Sequence, residues 1–370
     1  MRILILNWRS LNDPLAGGAE RATFEHAKRW VKNHKANITW LSPRYDKKDN
    51  EIIEGIHFKH IGLPLTRKIS QLIFRFPLFY FLVFWTYVTQ FKGKIDVVVD
   101  EVHGIPFLTP LYVREKIIVY IHEVAGEIWD LMYPFPINKI GHFIEKLLYL
   151  PYKKIKFVAS PSATRDLLNL GFNKNQITTL TYGITAPVVK AVPQKAKDLT
   201  IIFLNRLVKM KGPERAIDIF AKVHKVDKTA KLIFIGDGEP DFKDKLREKI
   251  KNSGLSKSVS FVGFVSEPEK FKILSKAHVL LNTSFKEGWG LVNIEANRMG
   301  TPVIAYKVKG NEDSVQTGVS GFVFNVGEED KMAQKIVEIK KDEQIRKSAI
   351  KYSNTFNWEI ISNNFYEKIH

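Results

Sequence analysis

Twelve short apolar runs, many rich in β-branched residues, recur along the 370-residue chain with helical stretches between them, and this alternation is the strongest constraint on its fold. A strand buried on both faces reads as an unbroken apolar run, and a helix between two such strands carries the chain across to a parallel neighbour. The first half holds runs at 2–7, 38–42, 96–101, 116–122, 156–160 and 177–182; the second holds runs at 199–205, 230–236, 258–263, 277–284, 301–306 and 321–324. Between the halves, 183–198 has two prolines, polar residues and no periodicity, which makes it the most linker-like stretch. The pattern predicts an α/β chain of two Rossmann-like, doubly wound domains with an interdomain cleft, in which ligands bind beyond the carboxyl ends of the strands. The expected divisions are 1–185, a linker at 186–198, 199–351 and a terminal segment at 352–370.

Length and an apolar content of 45% suffice for two buried cores, so disorder is a poor description of the whole chain. The lack of cysteine excludes disulfides and thiolate metal sites and suits a reducing compartment. The start, "MRILILNWRS", has too short an apolar run for a signal peptide, so a cytoplasmic protein is expected. A net charge of +18 favours an anionic partner such as nucleic acid, acidic lipid or a phosphorylated substrate, and it is equally the charge of a well-solvated lysine-rich surface.

Three stretches follow predicted strands and open predicted helices. In "PLAGGAERATF" (14–24), Gly17 and Gly18 let backbone approach a ligand at a helix N-terminus that favours phosphate; a plain capping loop has the same sequence. In "LNRLVKMKGPERAIDIF" (204–220), Arg206 and Lys211 precede a helix begun by Pro213, so both cations can converge on the anion that helix attracts, or stand as solvated surface charges. In "KEGWGLVNIEANRMGTPVIA" (286–305), Gly288 and Gly290 flank Trp289, and Leu291 and Val292 open a helix bearing Glu295, with Glu287 on the turn before it. Two carboxylates repel an anion but accept hydrogen bonds well from sugar hydroxyls.

In this order the pieces resemble a retaining glycosyltransferase of the GT-B fold, family four. The strongest likeness is two glutamates separated by seven residues in "EGWGLVNIE", followed by "GTPVIA", and the resemblance spans nearly the whole chain. It implies that Arg206 and Lys211 neutralise the diphosphate of a nucleotide sugar (UDP-, GDP- or ADP-linked), helped by Gly17, Gly18 and the amides of Leu291 and Val292. It implies further that Glu295 accepts from the ribose and that Glu287 with Gly288, Trp289 and Gly290 meets the transferred sugar. Gly263 and Val265 would lie at the base edge, His122 would line the reaction centre with His103 a weaker candidate, and 352–369 would form a helix returning to the first domain. No metal is then required, since two side-chain cations and helix termini stabilise the leaving diphosphate. Trp289, Asn205 and Tyr182 depart from the family's usual phenylalanine, glycine and asparagine, which bears on the sugar and nucleotide accepted.

The acceptor is expected to be lipid-linked or a saccharide. Within the aromatic segment 67–94, the apolar run from Phe76 to Val88, about 13 residues, is too short to span a bilayer and is interrupted by Pro77; flanked by Arg67, Lys68, Arg75, Lys92 and Lys94, the segment is either a core helix or a peripheral contact with anionic membrane. Two other functions fit parts of the sequence. A sugar-nucleotide epimerase shares the architecture, and a basic nucleic-acid-binding protein shares the charge, although no recognised nucleic-acid module is present and no nucleic-acid partner is expected.

Overall fold

Each of the twelve apolar runs forms a strand. The structure is a computed structural model that describes residues 1–14, 16–45, 50–63, 69–126, 129–130 and 133–370, with the backbone alone at 69–76. The chain divides into Met1–Gly183 with Trp358–His370, and Ile184–Asn357, and each unit is a Rossmann-like sheet flanked by helices.

The first unit contains β1 (Arg2–Leu6), β2 (Asn37–Pro43), β3 (Asn50–Ile53), β4 (Ile56–Ile61), β5 (Val97–Gly104), β6 (Lys116–Val124), β7 (Lys156–Ala159) and β8 (Ile177–Thr179). Their order is β3-β4-β2-β1-β5-β6-β7-β8, parallel except for β3 against β4. The β3–β4 hairpin is absent from the sequence expectation. Its strands are only partly buried and so lack a continuous apolar run, and its turn places Glu54 and Gly55 at φ 51° and 78°.

The aromatic segment forms a helix, Ile69–Thr86, extended by a π turn over Tyr87–Phe91. Pro77 lies within that helix, so it does not interrupt the segment as the sequence suggested. One face is core, with Phe79, Val83 and Tyr87 buried, while Phe81 and Trp85 on another face are exposed. Arg67 and Lys68 fall outside the described residues.

The last helix, Trp358–Ile369, packs on the helix Gly18–His34 of the same unit. Trp30 Nε1 donates to the Ser362 carbonyl at 3.1 Å, Arg29 pairs with Glu359 at 2.9 Å, and the His34 and Tyr366 rings stack at 3.8 Å. Buried between these helices, His26 meets Trp358 and Phe365 edge-on at 5.0 Å, and neither of its ring nitrogens has a hydrogen-bond partner among the described residues. Burial, and then the charges of His122 and Arg29, lower its pKa to about 3. The unfolded chain takes up this proton near pH 6.5 and the folded chain does not, so acidification below 6.5 favours unfolding until the folded pKa is reached. His26 alone is expected to remove up to about 1.4 kcal/mol of stability per pH unit in that window. Melting temperature measured from pH 7 to 4 should fall less steeply for His26→Leu than for the wild type; parallel curves would refute the assignment.

The second unit contains β9 (Thr200–Leu204), β10 (Lys231–Ile235), β11 (Val259–Gly263), β12 (Val279–Asn282), β13 (Val303–Tyr306) and β14 (Gly321–Phe324), all parallel in the order β11-β10-β9-β12-β13-β14. Apolar clusters cover both faces of the sheet, one built around Phe203, Phe220 and Phe234, the other around Ile202, Leu280 and Met299. The stretch 186–198 belongs to this unit and is fastened to it. Ala186 and Val189 pack on the second cluster, the Ala196 amide donates to the Lys276 carbonyl, and Lys195 Nζ donates to Met299 O and Thr301 Oγ1, both at 2.9 Å.

Candidate functional site

In the second sheet the chain winds outward from β9 through β10 to β11 and then returns to β12 on the other side of β9. The carboxyl ends of β9 and β12 therefore flank the topological switch point, where a doubly wound sheet leaves a crevice. The loop after β9 carries Arg206 and Lys211, and the turn after β12 carries Glu287 to Gly290. The structure joins the two: Lys211 Nζ donates to Glu287 Oε2 at 2.8 Å, and the Phe285 amide donates to the Met210 carbonyl at 3.0 Å. Arg206 stands exposed on the same loop as Lys211. Gly212, at φ +66°, caps the helix Pro213–Val226, and a Cβ there would lie 2.2 Å from the Thr283 carbonyl, so the two loops meet only because this residue is glycine.

Gly290, at φ +73°, caps the helix Leu291–Arg298, whose first amides, including those of Leu291 and Val292, have no carbonyl one turn earlier to bond. A Cβ on Gly290 would meet Asn293 and Ser314 at 2.6 and 2.7 Å, whereas one on Gly288 would meet nothing within 4 Å. Gly288 is therefore open on its side-chain side. Trp289 is buried against Phe356, edge-on at 5.9 Å. Glu295 lies one helical turn from that cap and is held by Lys270 Nζ at 2.9 Å, and Lys270 also pairs with Glu267. Each carboxylate of the glutamate pair thus has its own lysine.

Beneath the turn lies an amide cluster that sequence reasoning missed. Asn282 donates to Asn293 and Asn311 at 3.0 and 3.1 Å, Asn293 donates to Asn311 and Ser314 at 3.0 and 2.8 Å, and Asn311 donates to the Tyr306 carbonyl at 2.9 Å. All four polar side chains are buried, so the cluster ties the end of β12 to the helices Leu291–Arg298 and Lys309–Ser314. The available signal is an asparagine at a strand end and two more in short helices, a pattern equally suited to solvent-facing side chains. Gly263 ends β11 at φ +72°, with its carbonyl taken by the Gly236 amide at 2.8 Å; Val265, partly buried, packs against the core and Phe264 between them is exposed.

In the first unit, the analogous switch point lies between β1 and β5. Here the Gly17 amide, the cap of the helix begun by Gly18, donates to Glu20 Oε2 at 2.6 Å. The chain's own carboxylate occupies the amide that the sequence reading reserved for phosphate. His122 lies within β6, not at its end, and both ring nitrogens are engaged: Nδ1 with the Tyr182 hydroxyl at 2.6 Å, and Nε2 with Glu101 at 3.2 Å and Thr23 at 3.4 Å. Burial, and then the charge of His103, lower its pKa to about 3, so the imidazole is neutral. Burial, reinforced by Glu20, pushes the Glu101 carboxyl well above the usual range, and Asn7 donates to it. His103 bonds Glu123 at 2.6 Å; burial opposes its charge, but that carboxylate prevails and raises its pKa.

Residues 188–356 match the sequence profile of the family described as Glycosyl transferases group 1. Poly(glycerol-phosphate) alpha-glucosyltransferase of Bacillus subtilis is 33% identical over 193 residues, covering 49% of this chain and 28% of that protein. N-acetyl-alpha-D-glucosaminyl L-malate synthase of Bacillus anthracis is 32% identical over 149 residues, covering 40% of this chain and 38% of that one. The chain thus spans well under half the length of these relatives. Among solved structures, HepE of Anabaena in complex with UDP and glucose aligns over 100% of this chain and 99% of its own, with a TM-score of 0.75 at 18% identity. Sucrose-phosphate synthase of Thermosynechococcus elongatus aligns over 99% and 98%, with a TM-score of 0.81 at 16% identity. At such identities the structural likeness is one of fold, the GT-B fold.

Proposed function

We propose that this chain, a member of glycosyl transferases group 1 through residues 188–356, moves a hexose-type sugar from a nucleotide-diphosphate sugar to a saccharide or lipid-linked acceptor with retention at the anomeric carbon. The observation that carries the reading is the Lys211–Glu287 contact at the β9–β12 switch point, between two helix N-termini capped by glycine. A diphosphate at this point meets a lysine, the exposed Arg206, the positive end of the helix Pro213–Val226 and the first amides of the helix Leu291–Arg298, and the glutamates remain for hydroxyls. In the transfer, the bond from the sugar's anomeric carbon to the phosphate oxygen breaks while a bond to the acceptor oxygen forms on the same face. The acceptor's proton passes to the leaving phosphate. Arg206 and Lys211 stabilise the charge that develops on the diphosphate, so no step is routed through a metal.

Glu295, oriented by Lys270, accepts from the ribose, and Glu287 with Gly288 meets the sugar. The first unit takes the acceptor. There His122 acts as a neutral group whose ring is fixed by Glu101 and Tyr182, not as a proton-accepting base at the resting geometry. The enzyme works in the cytoplasm, and segment 67–94 lends it a peripheral contact with anionic membrane through Phe81 and Trp85.

Thermal shift with uridine, guanosine, adenosine and thymidine diphosphate sugars tests the donor site, since a ligand bound only by the folded state raises its apparent stability. HepE has been solved with UDP-glucose, which makes uridine the first probe. One donor class should raise the melting temperature. Glu295→Ala should weaken that donor by about ten- to a hundredfold, the cost of a charged hydrogen bond, while Glu287→Ala should mainly slow transfer. Wild-type kinetics in both variants would refute the site. Conversion of the donor to an epimer without acceptor would favour an isomerase instead.

A further inference from the structure

The helix Ile137–Tyr149 is built inside out. On its inner face Gly141 receives the Trp129 ring, which a Cβ would strike at 2.3 Å, and the buried Glu145 accepts from the amides of Ala125 and Gly126 and from Trp129 Nε1 at 2.8 to 3.1 Å. Its outer face is apolar: Ile137, Ile140, Phe143, Ile144 and Leu147 recur at helical spacing with 46% to 63% of their surface exposed, and Phe135 and Leu150 continue the strip at either end. Lys139 and Lys146 border the strip on one side, and the exposed Lys153 and Lys154 follow its end. Of the acidic groups nearby, Glu145 is turned inward, and Asp130 bonds His142 at 2.8 Å and lies 3.9 Å from Lys139, so it offsets part of that one lysine and leaves the basic border to Lys146, Lys153 and Lys154.

We infer that this helix lies in the surface of an anionic lipid bilayer, with Phe143 and its neighbours among the acyl chains and Lys139 and Lys146 at the headgroups. A helix that buries its charge and exposes its apolar side has the solvent preference of a membrane interface. At thirteen residues it is about 20 Å long, too short to cross a hydrocarbon layer of about 30 Å, so it lies along the surface. A second copy of the chain is a poorer occupant. A strip one helix wide offers roughly a few hundred Å², against the roughly 800 Å² per partner of a stable complex. The lysine border adds the matching charge that anionic lipid requires. This surface is separate from segment 67–94 and does not depend on the donor-site reading.

The test is sedimentation of the full chain with phosphatidylcholine vesicles, with and without phosphatidylglycerol, at low and high salt. The wild type should bind only the anionic vesicles, and less so at high salt. Ile140→Ser/Phe143→Ser/Leu147→Ser should lower the partition coefficient by more than about tenfold while keeping the melting temperature and any donor-induced shift. Lys139→Glu/Lys146→Glu should lower it at low salt. Phe143→Trp, added as a reporter, should show a blue shift of its emission on binding. The inference is overturned if the wild type ignores anionic vesicles, or if the triple variant binds like the wild type while Phe81→Ser/Trp85→Ser does not. It is equally overturned if the triple change dissolves a dimer and leaves vesicle binding intact.

Discussion

Lys211→Ala is expected to lower kcat/KM for the nucleotide sugar by about a hundred- to a thousandfold, the usual consequence of removing one group that stabilises developing charge. The size follows from two effects that add. The variant loses a cation poised between two helix N-termini, and it also releases Glu287, whose carboxylate Lys211 holds at 2.8 Å with both side chains largely buried. An unpaired carboxylate beside a diphosphate is repulsive, so the single variant is worse than the loss of the lysine alone. The pair Lys211→Ala/Glu287→Ala should therefore bind the donor more tightly than Lys211→Ala, with a coupling of about 1 to 3 kcal/mol between the two changes. Titration calorimetry with the donor on the wild type, both single variants and the double variant closes the cycle. Additive losses would mean that Lys211 and Glu287 do not act on one ligand.

The extent to which this site can be read from sequence depends on how each residue earns its position. Lys211, Glu287 and Gly290 follow apolar runs directly, and a parallel sheet brings the ends of adjacent strands together, so their convergence follows from periodicity once β9 and β12 are neighbours. Lys270 lies on the helix Glu267–Lys276, in a stretch read only for its base contacts, and it reaches Glu295 across 25 residues of sequence. Nothing local in "SEPEKFK" distinguishes it from other surface lysines. The asparagines at 282, 293 and 311 are harder still, because an isolated asparagine carries no periodicity and their meaning lies only in their mutual contact.

Strands buried on both faces announce themselves, whereas the β3–β4 hairpin at a sheet edge and the fastened stretch 186–198 take their structure from neighbours distant in sequence. His122 shows a third limit. Its strand is legible in the run at 116–122, but its burial and the Glu101 and Tyr182 contacts that occupy its ring come from β5 and from the end of the unit.

Two glycines on either side of one turn should respond to alanine in opposite ways. Gly310 opens the helix Lys309–Ser314 directly behind the Glu287–Gly288 peptide, and a Cβ there would lie 2.3 Å from the Glu287 carbonyl oxygen and 2.6 Å from its carbon. Both are backbone atoms of a turn tied down by Lys211 and by the buried asparagines, so no flexible side chain can yield. Either the helix backs away and opens the amide cluster, or the turn moves and carries Glu287 from Lys211. Gly310→Ala is therefore expected to destabilise the second unit by about 2 to 4 kcal/mol, the range for overpacking combined with broken buried hydrogen bonds, and to abolish detectable transfer. Gly288→Ala has no such obstacle, since its Cβ meets nothing within 4 Å. It should melt within about 0.5 kcal/mol of the wild type, as substitutions free of steric conflict do, and yet transfer sugar poorly, because the added methyl projects to the side from which the donor is proposed to approach. Chemical denaturation and initial rates on the two variants separate the cases. A Gly288→Ala enzyme with wild-type rates would move the sugar away from this turn, and a stable Gly310→Ala protein would mean that the turn is not pinned between its helix and its lysine.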